Sequence, residues 1–131
     1  LVRHTYGGAA GQLLIPGGHC TVDELPEEAA QREVLEETHV VAKMDAMLGI
    51  RCGRNGWYAL LLMDYVEGEP MSDGNENSEA LFMKVNEALE REDVTHKTKV
   101  ALRAMLSEDK KLLYSDEEYK KVKENKFTLF I

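Results

Sequence analysis

The stretch PGGHCTVDELPEEAAQREVLEETHV, Pro16 to Val40, sets seven acidic residues around one arginine, Arg32. Pro26 suits a first helical turn, because its fixed φ matches the helix and its missing N–H is not needed there. Glu27 and Glu28 follow where the helix dipole favours negative charge. The pattern predicts a helix from Pro26 to about Thr38, with Ala30, Val34 and Thr38 facing inward. On it Glu33, Glu36 and Glu37 stand at i, i+3 and i+4, so the 3.6-residue turn stacks three carboxylates on one face. Two such charges about 4 Å apart repel by about 4 kcal/mol at an effective dielectric of about 20. Arg32 alone does not balance them. Two readings follow from the residues: a solvated acidic stripe, or a hard divalent cation held by clustered oxygens.

Working outward, Leu1 to Thr5 reads as a short strand and YGGAAG as a flexible loop. QLLIPGG reads as a second short strand stopped by Pro16, Gly17 and Gly18. Beyond the helix, Met44 to Arg51 and Trp57 to Val66 form two strands, and the Asn55-Gly56 pair between them favours a tight reversal. A polar loop, EGEPMSDGNENSE, precedes a strand over ALFMKV. NEALEREDV suits a short helix, and Thr95 to Ser107 a longer one with Val100, Ala101, Ala104 and Met105 at helical spacing. The tail reads as a polar helix followed by an apolar docking segment or strand. Strands interleaved with helices give an α/β class. The 131 residues are expected to form a single domain.

Composition excludes several functions. With 44% hydrophobic and 31% charged residues the chain is an ordinary globular one, and its net charge of −8 disfavours a nucleic acid polymer or an anionic membrane as partner. The longest apolar run, Ala59 to Met63, is far too short to span a bilayer. Cys20 and Cys52 lack metal-ligand spacing and suit a reducing, cytoplasmic setting. The chain opens at Leu1 in what reads as the second half of a strand, so native residues are expected before it.

The spacing around the acids is long and gapped. Gly18 is followed after five residues by Glu24, and after seven more by Arg32-Glu33-Val34, then Glu36-Glu37, His39 and Val40. This resembles the Nudix box, G-x5-E-x7-R-E-U-x-E-E-x-G-U with U aliphatic, and meets eight of its nine specified positions across 23 residues. LLIPGG before it is similar to the apolar-Pro-Gly-Gly run that leads into that box. The departure is His39, where the family has glycine. A residue there ends the helix in a left-handed conformation, which costs histidine about 1 kcal/mol relative to glycine. The position is not a ligand.

The resemblance implies an α/β/α sandwich around a mixed sheet. It implies a Mg2+- or Mn2+-dependent hydrolase that cleaves the pyrophosphate bond of a nucleoside diphosphate linked to another moiety. Glu36 and Glu37 would be principal metal ligands, Glu33 a ligand or orienting carboxylate, and Gly18 a carbonyl donor. Arg32 would hold the carboxylates, and Glu24 would fasten loop to helix. The general base would be Glu79, with Glu76 second. Arg3 and Arg51 are candidates to meet phosphates, although isolated arginines are more often surface residues, and Tyr58 or Trp57 to stack on a base, although core packing accounts for them about as well. Relatives that pair up suggest a homodimer. The alternative is a non-catalytic Nudix-like regulatory domain that binds a nucleotide without hydrolysing it.

Overall fold

A computed structural model describes residues 1–131. Strand β1 (Val2–His4) is followed by a single 3-10 turn (Gly7–Ala9) and a two-residue strand β2 (Leu13–Leu14). Next come helix α1 (Pro26–Thr38), strands β3 (Val41–Gly53) and β4 (Gly56–Glu67), and strand β5 (Asn77–Ala80). Helices α2 (Val85–Glu90), α3 (His96–Leu106) and α4 (Glu117–Val122) complete the chain.

The expected α/β class holds. Its strands fall into two antiparallel sheets, β2-β1-β5 and β3-β4. The parallel element of the expected mixed sheet is reduced to one bridge between Leu13 and Val94. The Ile15 N–H, next in line for that pairing, donates instead to the Thr98 hydroxyl at 3.2 Å, because α3 has already begun at His96. Val2 and Leu13 are fully buried where β1 lies between its neighbours, with Val2 opposite both Leu14 and Ala80. Leu13, Ala88 and Val94 form a buried apolar cluster, which joins β2 to α2 and to the segment that leads into α3.

Both predicted hairpin strands are present and run longer than expected. The reversal lies at Arg54 and Asn55, between the paired Gly53 and Gly56, and Gly56 takes the positive φ of 149°. The strand predicted over ALFMKV is corrected: pairing covers Asn77–Ala80 and ends before Phe82. The Asp73 carboxylate accepts from the Asn75 and Asn77 N–H groups, a local turn that starts the strand early. The helix predicted over Thr95 to Ser107 is found with those residues as its caps, and the Thr95 hydroxyl accepts from the Thr98 N–H. The tail docks as expected: Tyr114 and Ile131 exchange backbone hydrogen bonds of 2.9 and 3.0 Å.

Helix α1 starts and stops for local reasons. Glu28 Oε2 accepts from the Leu25 N–H at 2.9 Å, half of a capping box that Leu25 has no side-chain acceptor to complete. His39 ends the helix at φ 61°, ψ 11°, its N–H donating to the Leu35 carbonyl. His39→Gly is therefore expected to raise the unfolding free energy by up to about 1 kcal/mol, read by urea denaturation. A clear loss would show that the imidazole contact to the Met71 carbonyl, 3.1 Å away, outweighs the backbone strain.

Candidate active site

The acidic face of α1 meets the loop that follows β2. The Gly17 N–H donates to Glu37 Oε1 at 3.1 Å. Gly18 lies so close to the helix that a Cβ built on it would overlap the Glu33 carboxyl group. Gly18 thus lets the backbone approach Glu33 where any side chain would intervene, and Gly17 supplies the positive φ of 156° at the bend. Gly18→Ala should displace Glu33 and, since misplacement of about 1 Å can cost about 100-fold, lower turnover by roughly that factor. Steady-state kinetics beside an unchanged circular dichroism spectrum would check this.

Arg32 ties the cluster together. Its Nε donates to Glu24 Oε1 at 2.5 Å and its Nη2 to Glu24 Oε2 and the His19 carbonyl, both at 3.0 Å. Its Nη1 reaches Glu33 Oε1 at 2.8 Å and Glu36 Oε2 at 3.1 Å. The bidentate Arg32 guanidinium first, then the Thr21 N–H, hold the Glu24 carboxyl down at about 2. The same carboxylates raise Arg32 further above its already high value.

Glu37 is the unusual member. It is 4% exposed, and its Oε2 is buried with no hydrogen-bond partner. Burial pushes its carboxyl up to about 7, against the Gly17 N–H, and the charges of Glu33, Glu76 and Asp73 add to the shift. Tyr6 stands on the same side, its hydroxyl 3.4 Å from Glu76, whose charge raises the phenol. The helix end is held from β5, where the buried Asn77 amide donates to the Glu37 carbonyl at 2.8 Å.

Glu24, Arg32, Glu33, Glu36, Glu37 and Gly18 are thus brought together as expected from their spacing. Glu79 and Arg3 are not part of this group: they face each other across β1 and β5, with Arg3 Nε 2.8 Å from Glu79 Oε2. Arg3 is also bonded to Asp93 and to the Gly11 carbonyl. Arg51 lies over the Tyr58 ring, 5.1 Å from its centroid, with Lys97 at 6.0 Å. No sequence pattern points to Asp73 or Tyr6. Asp73 sits in an ordinary turn motif, and nothing local marks Tyr6.

The donor set fits a hard cation. Glu37 offers a buried, unpartnered carboxylate oxygen, and the charge of Glu33 acts on it from the same helix face. In the conformation described, no three His, Cys, Asp or Glu side chains converge closely enough to hold an ion. Glu33 and Glu36 are turned onto the Arg32 guanidinium, the positive group within their reach.

No helix is long and apolar enough to cross a membrane. A family model described as the NUDIX domain matches residues 1–104. Among solved structures, the chain is similar to the "Crystal structure of MutT NUDIX hydrolase from Burkholderia pseudomallei", with a TM-score of 0.66 and 22% identity over 79% of this chain and 84% of that one. At that identity the likeness is one of fold. A comparison with curated proteins found no match.

Proposed function

From the premise that this chain belongs to the Nudix family, we propose that it hydrolyses the pyrophosphate bond of a nucleoside diphosphate linked to another moiety, with Mg2+ or Mn2+ as its cation. The observation that carries this reading is Glu37: a carboxylate buried beside the Gly17-Gly18 bend, with one oxygen unpartnered and like charges around it. Such a group is costly to keep for stability alone.

Glu33, Glu36 and Glu37, with the Gly18 carbonyl, would hold the cation. When bound, the cation neutralises phosphoryl oxygens and lowers the pKa of a coordinated water. The Gly17 N–H fixes the rotamer of Glu37, and Arg32 orients Glu33 and Glu36. For the base that takes a proton from water, Glu79 is held by the Arg3 guanidinium at 2.8 Å, whereas Glu76 meets a neutral group, the Tyr6 hydroxyl at 3.4 Å, on the side of Glu37. Glu76 is therefore the better assignment. Glu76→Gln is expected to lower kcat by about 100-fold or more, and Glu79→Gln to leave it within a few-fold. The reverse order would restore Glu79 to the role.

The test of the function is release of phosphate or nucleotide from a panel of nucleoside diphosphate derivatives, with Mg2+, with Mn2+ and with chelator. Turnover that needs the cation is the expected result. Tight binding of a panel member without turnover would favour the non-catalytic regulatory module.

A further inference from the structure

A cavity of about 670 Å3 lies between α1, β4 and α3, and its wall includes Gly17, Gly18 and Glu33. That size suits an organic group rather than a phosphate alone. Twenty of its 28 lining residues are hydrophobic, so its chemistry differs from that of the acidic face it adjoins. Val34 comes from α1, Leu62 from β4 and Met105 from α3. The aromatic rings of Trp57, Tyr65 and Phe82 also line it. These three residues are 74%, 57% and 60% exposed, and Tyr65 meets Phe82 edge-on at 5.7 Å. No lysine or arginine lines the cavity, and its single charged residue is Glu33.

Those facts restrict the occupant. An anionic group there would lose hydration with no counter-charge and with Glu33 beside it. A sugar would find few polar partners there, chiefly His19, Asn55 and the tyrosine hydroxyls, and each hydroxyl left unpaired costs roughly 1–3 kcal/mol. An uncharged aryl or alkyl group would cover exposed aromatic surface and displace loosely held water.

We propose that this cavity receives the moiety linked to the nucleoside diphosphate, and that the moiety is an uncharged apolar group. The inference rests on the reading that the neighbouring carboxylate helix handles the diphosphate. It assigns the apolar wall to specificity and leaves the bond cleavage to the acidic face.

The protein has one tryptophan, Trp57, and it lines the cavity, so its emission reports occupancy without any need for turnover. In metal-free buffer, benzyl alcohol should shift that emission to the blue at a concentration at least about tenfold below benzoate, with no effect from glucose. With Mg2+, kcat/KM for the benzyl ester of ADP should exceed those for the 4-carboxybenzyl and glucosyl esters by at least about tenfold. Leu62→Lys should abolish that preference. An unmoved emission, or equal kcat/KM for the three esters, overturns the assignment of the cavity. Equal kcat/KM with brisk turnover would leave the hydrolase reading intact. The expected emission response with no ester hydrolysed would support the cavity assignment and sink the hydrolase instead.

Discussion

Glu37→Gln should lower kcat for pyrophosphate hydrolysis by more than about 100-fold while making the metal-free protein more stable at pH 8. The first half follows from its proposed place as a ligand, since even outer partners of metal ligands cost about 10–100-fold when removed. The second half follows from burial. The folded carboxyl is pushed up to about 7 from an ordinary 4.5. Below pH 4.5 the group is protonated in both states and this shift costs nothing. As pH rises through 7 the native state must either keep the proton or bury a charge, and stability is lost. At about 1.4 kcal/mol per unit the loss reaches roughly 3 kcal/mol. Glutamine does not ionise and escapes it. Urea unfolding with chelator at pH 4 and pH 8 should therefore show the variant gaining on the wild type only at the higher pH. A variant less stable at pH 8 would mean that the carboxylate makes net favourable contacts without a cation, and the metal-site reading would fail.

Arg32→Ala should be the next most damaging change. The guanidinium makes five hydrogen bonds, four to the carboxylates of Glu24, Glu33 and Glu36 and one to the His19 carbonyl. Without it those acids repel with no fixed counter-charge, and the loop carrying His19 and Glu24 loses its tie to the helix. Cation affinity should fall by about 10–100-fold, the range for residues that orient ligands, as read by Mn2+ titration, and the melting temperature should fall with it. Arg32→Lys should recover only part of the affinity, because one ammonium cannot chelate Glu24 and reach Glu33 and Glu36 as a planar fork does. Full recovery with lysine would show that charge alone matters. The effect should also have a pH edge. Glu24 is held at about 2 in the folded protein against 4.5 ordinarily. The contribution of the pair is thus complete above pH 4.5 and is lost as pH falls toward 2.

The hairpin and α1 were legible because their signals are local. Pro26 marks the helix start and Thr95 the cap of α3, and the reversal falls at Arg54-Asn55, one residue ahead of the Asn-Gly pair. The misplaced strand at ALFMKV shows where that kind of signal stops. Apolar content suggested a strand over Ala80 to Val85, but an Asp73 side-chain turn and the short β1 partner moved pairing to Asn77–Ala80. Arg3 and Glu79 show the same limit. Each looked available for a phosphate or a water, and 76 residues apart they neutralise each other.

By itself, the sequence determined that three glutamates share one helix face behind a glycine bend, because a 3.6-residue period and the conformational range of glycine act within a few residues. It also determined that Arg32 lies among them, one turn from Glu36. Tertiary structure alone decided that Glu37 is the buried carboxylate while the Glu36 side chain is 59% exposed. Beyond Glu33 on the same helix, the groups that act on the Glu37 carboxyl are the Gly17 N–H and the charges of Glu76 and Asp73, while Asn77 holds the Glu37 backbone carbonyl. Desolvation depends on what distant parts of the chain pack against a side chain, and no local spacing records that.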